Sequence, residues 1–192
     1  KQMTVILKAE CGFSYRKSRF NTTDKGRFFI TSVTIALSHD APLPPFYASL
    51  EGYLNERKIT KYTPKIIREA VIFIRNSKLP DPKKVANCGS FFANPIVDSY
   101  QLEKIIAKYP GIPNWQMYND SYKLSAAWML EKLGLKGYHE PNTGMAIWEN
   151  QALVLVNEKA PNTASLLAFR DAIIKRVEEK FGVTLAQEPE LI

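Results

Sequence analysis

The sequence predicts an α+β fold, and two observations carry that reading. Apolar residues recur at helical spacing in several separate segments, and β-branched runs that read as strands lie before and between them. The two kinds do not follow one another in the regular β-α-β order that a parallel sheet requires.

In chain order, Met3 to Lys8 alternates and is rich in β-branched residues, so it reads as a strand. Cys11 to Phe20 is a polar loop carrying Phe13, Tyr15 and Phe20. Arg27 to Leu37 is the strongest strand signal in the chain, and the prolines of Ala41 to Pro45 end it. Thr63 then offers an N-cap with Pro64 at the first helical position, followed by Ile66, Ile67, Ala70, Val71 and Ile74 at helical spacing. That helix runs through Arg75 to Lys78 into a stretch ending at Pro95. Two X-Pro steps hold its first half extended, because proline fixes its own φ and moves the preceding residue out of the helical region. Gly89 lets the backbone turn or lie close to a flat ligand, and it presents Ser90 beside the Phe91-Phe92 pair. The plain alternative is an irregular loop anchored by the two phenylalanines.

Asp98 or Ser99 caps a helix with Leu102, Ile105 and Ile106 inward, and Ser125 opens another that carries Trp128, Leu130 and Leu133 up to Gly134. Met145 to Ile147 and Ala152 to Val156 read as strands. Thr163 begins the longest helix, which Gly182 stops, and an extended piece runs from Val183 to Ile192. That unpunctuated end suits a natural polypeptide that continues.

The chain has 192 residues, enough for one large or two small domains. Its net charge of +7, from 26 Lys and Arg against 19 Asp and Glu, suits an anionic ligand. The cations are spread among acids with no Arg-rich block, so most are solvated faces. Cys11 and Cys88 are too few for a disulfide framework, which points to a reducing, cytoplasmic setting. His39 and His139 are isolated, giving no support to a metal site or a serine–histidine hydrolase. No apolar run reaches membrane-spanning length, and no phosphate-binding glycine loop, dinucleotide fingerprint or nucleophile elbow is present. The residues alone stop at an α+β domain that binds an anionic ligand.

A series of motifs goes further. Cys11-x-Phe13-x-Tyr15-Arg16-x-Ser18, Lys78-Leu-Pro-Asp-Pro82, Gly89-Ser-Phe-Phe-x-Asn-Pro95, Lys123-Leu-x-Ala-x-Trp128, Leu135-Lys-Gly137, Gln151-Ala-Leu-Val154 and Phe181-Gly-Val-x-Leu-x-x-Glu188 occur in one order. Together they span nearly the whole chain, which resembles the C-terminal part of the UDP-N-acetylenolpyruvoylglucosamine reductases, the MurB flavoenzymes of peptidoglycan synthesis. The Tyr15-Arg16 loop matches the subtype that carries such a loop.

The resemblance implies the end of a FAD-binding domain over residues 1–77, a substrate-binding domain over 78–181, and a tail over 182–192 that returns to the flavin domain. It implies an NADPH- and FAD-dependent reduction of UDP-N-acetylglucosamine enolpyruvate to UDP-N-acetylmuramate, with no nucleic acid and no membrane as partner. Ser90 would donate the proton, Glu188 would act with it or stabilise the enol form, and Tyr15 would close over the pyrophosphate. Lys78, Asn94, Lys123, Lys136 and Gln151 match positions around the substrate, and Trp115 stands where an aromatic can lie beside the uridine. Arg75 and Gly89 would lie against the cofactor, and no metal is implied.

Without the resemblance, the lysines read as surface charges, Trp115 as a core or loop anchor and Glu188 as a solvated terminal acid. Glu190 competes with Glu188, because Pro189-Glu190 stands where relatives can have Val-Arg; ungapped spacing from Phe181 favours Glu188. The family's flavin-pyrophosphate loops, and a substrate-directed arginine among them, precede the matched region and have no counterpart here. Two other readings remain. One is a non-catalytic module for UDP-sugars or nucleotides without flavin, against which Ser90 and Glu188 argue. RNA binding, resting only on charge and aromatics, ranks last.

Overall fold

A computed structural model describes residues 2–14 and 17–191, which group into two units, residues 1–40 and 41–192. The expected tyrosine–arginine pair, Tyr15 and Arg16, lies outside the described residues.

In the first unit neither predicted strand forms. Residues 2–7 and 28–40 form no helix, turn or ladder among the described residues. A strand needs a partner for its backbone N–H and C=O groups and a surface for its apolar side chains. Here Val5, Phe29 and Leu37 stand 87%, 91% and 88% exposed. The β-type pattern is in the sequence, and among the described residues neither segment has a partner strand.

What order this unit has is built from polar contacts. Short 3-10 turns cover Lys8–Glu10 and Arg19–Asn21. The buried Asp24 carboxylate accepts from Arg19 Nε at 2.5 Å and Arg27 Nη1 at 2.6 Å. The hydrogen bond from Arg19 chiefly holds this carboxyl below its ordinary range, against the opposing effect of burial. A lowered folded value means that the contribution is present above the unfolded value of about 3.9 and is lost as pH falls through the folded one. Asp24→Asn is therefore expected to speed amide exchange at Asp24 and Arg27 about tenfold at neutral pH. Measured as protection relative to the intrinsic rate at each pH, wild type should fall to the variant's level only in acid; equal protection at pH 7 would remove Asp24 as the organiser of this loop.

The second unit begins with a helical hairpin, α1 (Ala48–Glu56) and α2 (Pro64–Lys78). Thr63 Oγ1 accepts from the Ile66 amide at 3.2 Å, so the expected cap is present. Leu50, Leu54, Ala70 and Ile74 form the seam between the helices, with Phe46, Tyr53 and Tyr62 packed against it. α1 has no such start signal; its N-cap is Tyr47, without a side-chain bond.

Two antiparallel sheets follow. The larger has the order β1 (Ala86–Ser90), β7 (Val154–Asn157), β6 (Met145–Ile147), β5 (His139–Glu140). The smaller has β4 (Ser121–Leu124) between β2 (Ile96–Asp98) and β3 (Asn114–Gln116). Alternation along the larger sheet divides its side chains between two faces. Met145, Ile147 and Leu155 join the main core with Phe169, Ile173, Val177 and Phe181 of α5 (Thr163–Phe181). Ala146, Val154 and Val156 take Leu79, Val85 and Trp148 on the other face. Each fully buried large apolar side chain contributes about 1.5–3 kcal/mol.

The helices α3 (Ser99–Lys108) and α4 (Ala126–Lys132) are capped by Asp98 and Ser125, whose side chains accept from Gln101 and Trp128 amides at 2.7 and 3.2 Å. Gly144 turns the chain from β5 into β6 at φ +71, where a Cβ would lie 2.6 Å from the Lys159 carbonyl carbon, so only glycine fits.

Candidate active site

The segment expected as an irregular loop is loop only in its first half. Asp81 accepts Lys84 and Val85 amides at 2.9 Å, a turn that leads into β1. Strand β1 carries a bulge between Asn87 and Ser90. Gly89 sits in it at φ +77, and its amide donates to Asn87 Oδ1 at 3.0 Å while Asn87 Nδ2 donates to the Val85 carbonyl at 2.8 Å. Asn87 is thus a supporting residue that the initial reading passed over; an Asn two positions before a glycine is the signal for such a turn. An ideal Cβ on Gly89 would meet no atom within 4 Å, so the backbone borders open space there.

The bulge delivers Ser90 to the end of the strand, opposite Val154, and exposes it. Among the described residues no group hydrogen-bonds its hydroxyl. Phe91 and Phe92 beyond it are buried and meet edge-to-face at 5.1 Å, which locks the segment into the main core. Partial burial pushes the neighbouring Cys88 thiol up from its ordinary value, keeping it protonated at neutral pH and a poor nucleophile.

After Gly182 the tail runs antiparallel to this segment. The Ala93 amide donates to the Ala186 carbonyl at 2.9 Å, Phe92 pairs with Gln187, and the Glu188 amide donates to the Phe91 carbonyl at 2.9 Å. Val183 and Leu185 face the core while Thr184, Ala186 and Glu188 are exposed. Residue 188 is thereby set against the residue that follows Ser90. A cleft of about 390 Å³ opens at one end of this pairing, where Ala93 meets Ala186, and continues along Asn94, Pro95, Gln101, Val183 and Thr184; neither Ser90 nor Glu188 lines it.

Two further expected residues join this neighbourhood. Asn94 Oδ1 accepts from the Ala126 amide at 3.0 Å, using one orphan donor at the start of α4 and leaving the amide NH₂ without a partner among the described residues. Gln151 opens the turn that leads into β7; its carbonyl accepts from Val154, the residue opposite Ser90, at 3.0 Å.

The others stand apart. Trp115 and Lys123 face one another across β3 and β4, with Lys123 Nζ 5.0 Å from the indole centroid. Ile96 continues the row on β2, making an exposed strip of one cation between two apolar side chains. Lys136 pairs with Glu131 at 3.2 Å beyond α4. Arg75 and Lys78 are exposed in the last turn of α2, where cations complement the helix dipole. Among the described residues no hydrogen bond or ion pair links these last three to Ser90 or Asn94.

Residues 81–192 match the family model described as UDP-N-acetylenolpyruvoylglucosamine reductase, C-terminal domain. Proteins named UDP-N-acetylenolpyruvoylglucosamine reductase resemble the chain more widely. That of Chromobacterium violaceum is 36% identical over 188 residues, 98% of this chain and 54% of the relative. The Ralstonia nicotianae protein is 38% identical over 184 residues, 96% and 53% of the two chains, and the Burkholderia multivorans protein 39% over 183, 94% and 52%. The chain therefore spans about half the length of the curated relatives it matches. With a family model covering more than half of its residues, and with relatives of one name along nearly all of them, the chain belongs to the UDP-N-acetylenolpyruvoylglucosamine reductase family.

Proposed function

We propose that this chain supplies the substrate-binding and proton-donating part of a flavin-dependent reduction of UDP-N-acetylglucosamine enolpyruvate to UDP-N-acetylmuramate. On this reading residues 1–77 complete a flavin-binding domain, 78–181 hold the substrate, and 182–192 return to the flavin. The observation that carries it is the pairing of the tail with residues 91–93, which sets Glu188 beside the strand end that presents Ser90. The exposed, unpaired β-type segments of residues 2–7 and 28–40 suit strands of a domain whose other strands lie outside this sequence. No described helix is long and apolar enough to cross a membrane.

The residues fit a flat cofactor at one place. Gly89 borders open space at a left-handed φ, so a planar ring can approach the backbone where any Cβ would intervene. Arg75 would add positive charge toward the cofactor. A flavin held there, FAD reduced by NADPH, would supply the hydride for the enolpyruvyl double bond. This chain's task is the proton on the adjacent carbon. Ser90 holds that proton on Oγ; a neutral hydroxyl is a weak acid, and an enolate-like carbon is basic enough to take the proton when the geometry is fixed. Glu188 stabilises the enol form or acts with Ser90 in the acid step. Asn94 and Gln151 offer directional amides, Lys78 and Lys136 positive charge, and Tyr15 a cover for the pyrophosphate. Trp115 with Lys123 offers a ring face and a cation to the uridine nucleotide.

The test is product formation. In the flavin-loaded complete enzyme, NADPH consumption must depend on the enolpyruvyl ether, and mass spectrometry must show that ether gaining two hydrogens. An enzyme that reduces its flavin with NADPH yet leaves the ether intact would overturn the proposal.

A further inference from the structure

Three side chains outside the expected site converge on the tail. Arg170, on α5, has a side chain only 21% exposed. Its Nε and Nη2 both reach Asp171 Oδ1 at 2.8 Å, and its Nη1 donates to Gln187 Oε1 at 2.6 Å. Gln187 Nε2 in turn donates to the Pro189 carbonyl at 2.9 Å. The chain Asp171–Arg170–Gln187–Pro189 thus closes around residue 188 from one side, while the bond from the Glu188 amide to Phe91 closes it from the other.

We propose that Arg170 and Gln187, oriented by Asp171, are positioning residues: a clamp that holds the Glu188 backbone against the strand presenting Ser90. The inference rests on the assignment of Glu188 to the reaction. Its physical basis is the shortness of the tail's pairing. Among the described residues the backbone pairing joins only residues 186–188 to residues 91–93, and Pro189 has no N–H with which to extend the ladder. A ladder of so few bonds frays at its end, which is where residue 188 sits. The planar guanidinium suits the task because it serves two acceptors in fixed directions. It ties the tail to α5, whose Phe169 and Ile173 are buried in the main core.

The test compares Arg170→Ala, Arg170→Lys, Gln187→Ala and Glu188→Gln in the complete enzyme, with amide hydrogen exchange beside steady-state kinetics. Exchange of the Glu188 amide is expected to rise ~10–100-fold in Arg170→Ala and Gln187→Ala, while amides of Phe169 and Val177 keep their protection. The kcat should fall at least ~10-fold with KM moving less than about threefold, since geometry and not binding is lost. Arg170→Lys should recover part of the rate, because an ammonium can reach Gln187 but not hold both partners in plane. Adding Arg170→Ala to Glu188→Gln should cost nothing further, because the clamp acts through that residue. Gln187→Ala keeps the inference testable should the helix variant fold poorly, as it leaves α5 untouched. A Glu188 amide that stays protected in both alanine variants overturns the clamp. So does full turnover in them while Glu188→Gln is dead. Full turnover in Glu188→Gln alone would instead refute the role given to Glu188, and the exchange rates would then decide the clamp by themselves.

Discussion

Ser90→Ala is expected to lower reduction of the enolpyruvyl substrate about 10³-fold, within the range a positioned general acid contributes, while NADPH still reduces the bound flavin at the normal rate. The separation of the two half-reactions is the informative part. Ser90 is exposed at a strand end and bonds to no group among the described residues, so removing its oxygen breaks no structural hydrogen bond. Phe91 and Phe92 hold the segment in the core without help from the hydroxyl. A loss confined to the substrate half-reaction would therefore report chemistry and not unfolding. Stopped-flow absorbance of the flavin resolves both steps in one sample. Unchanged substrate reduction would remove Ser90 as the proton source. If substrate binding also survived in an enzyme that never reduced its substrate, with or without the mutation, the non-catalytic nucleotide-sugar reading would take over.

The parts of this fold that sequence makes legible are those decided by neighbours along the chain. Thr63, Asp98 and Ser125 are short polar residues ahead of apolar periodic runs, and each caps its helix with a side-chain bond. Gly182 ends α5 in the left-handed conformation, as a glycine after a long amphipathic segment should. What depends on distant partners is legible only as potential. Arg27 to Leu37 has the residues of a strand and remains unpaired and exposed. Strands β3 and β4 are three and four residues long, too short for alternation to announce them. The site divides in the same way. Ser90 and Gly89 draw notice locally, but their pattern alone also reads as an irregular loop anchored by Phe91 and Phe92, and the ordered series of motifs is what singles them out. The approach of Glu188 to Phe91, and the bonds from Arg170 to Gln187, join residues of different elements, and no spacing rule discloses them. Of the two glutamates separated by one proline, ungapped spacing from Phe181 favours Glu188 in the sequence, and the structure adds the bond from the Glu188 amide to the Phe91 carbonyl.

That distinction has a direct consequence. Glu188→Gln is expected to slow substrate reduction about 10²-fold or more, and Glu190→Gln to leave it within about threefold of wild type. The argument begins with the backbone. Residue 188 is the last of the tail to bond the strand segment, through its amide and the Phe91 carbonyl. Pro189 follows, accepts the Gln187 side chain on its carbonyl, and offers no amide of its own. Residue 190 follows that proline, past the backbone bond that ties residue 188 to the strand segment beside Ser90. A carboxylate that must stabilise an enol or share a proton with a hydroxyl needs its distance from that hydroxyl fixed, because a displacement of about 1 Å can cost on the order of 10²-fold in rate. Glutamine keeps the size and an acceptor oxygen but loses the negative charge and the capacity to carry a proton, so the substitution probes the chemistry with little change in shape. Both variants should reduce their flavin with NADPH normally, and kcat for substrate reduction is the quantity to compare. The opposite ranking, with Glu190→Gln dead and Glu188→Gln active, would move the acid two residues along the tail and require the strand pairing to shift when substrate binds.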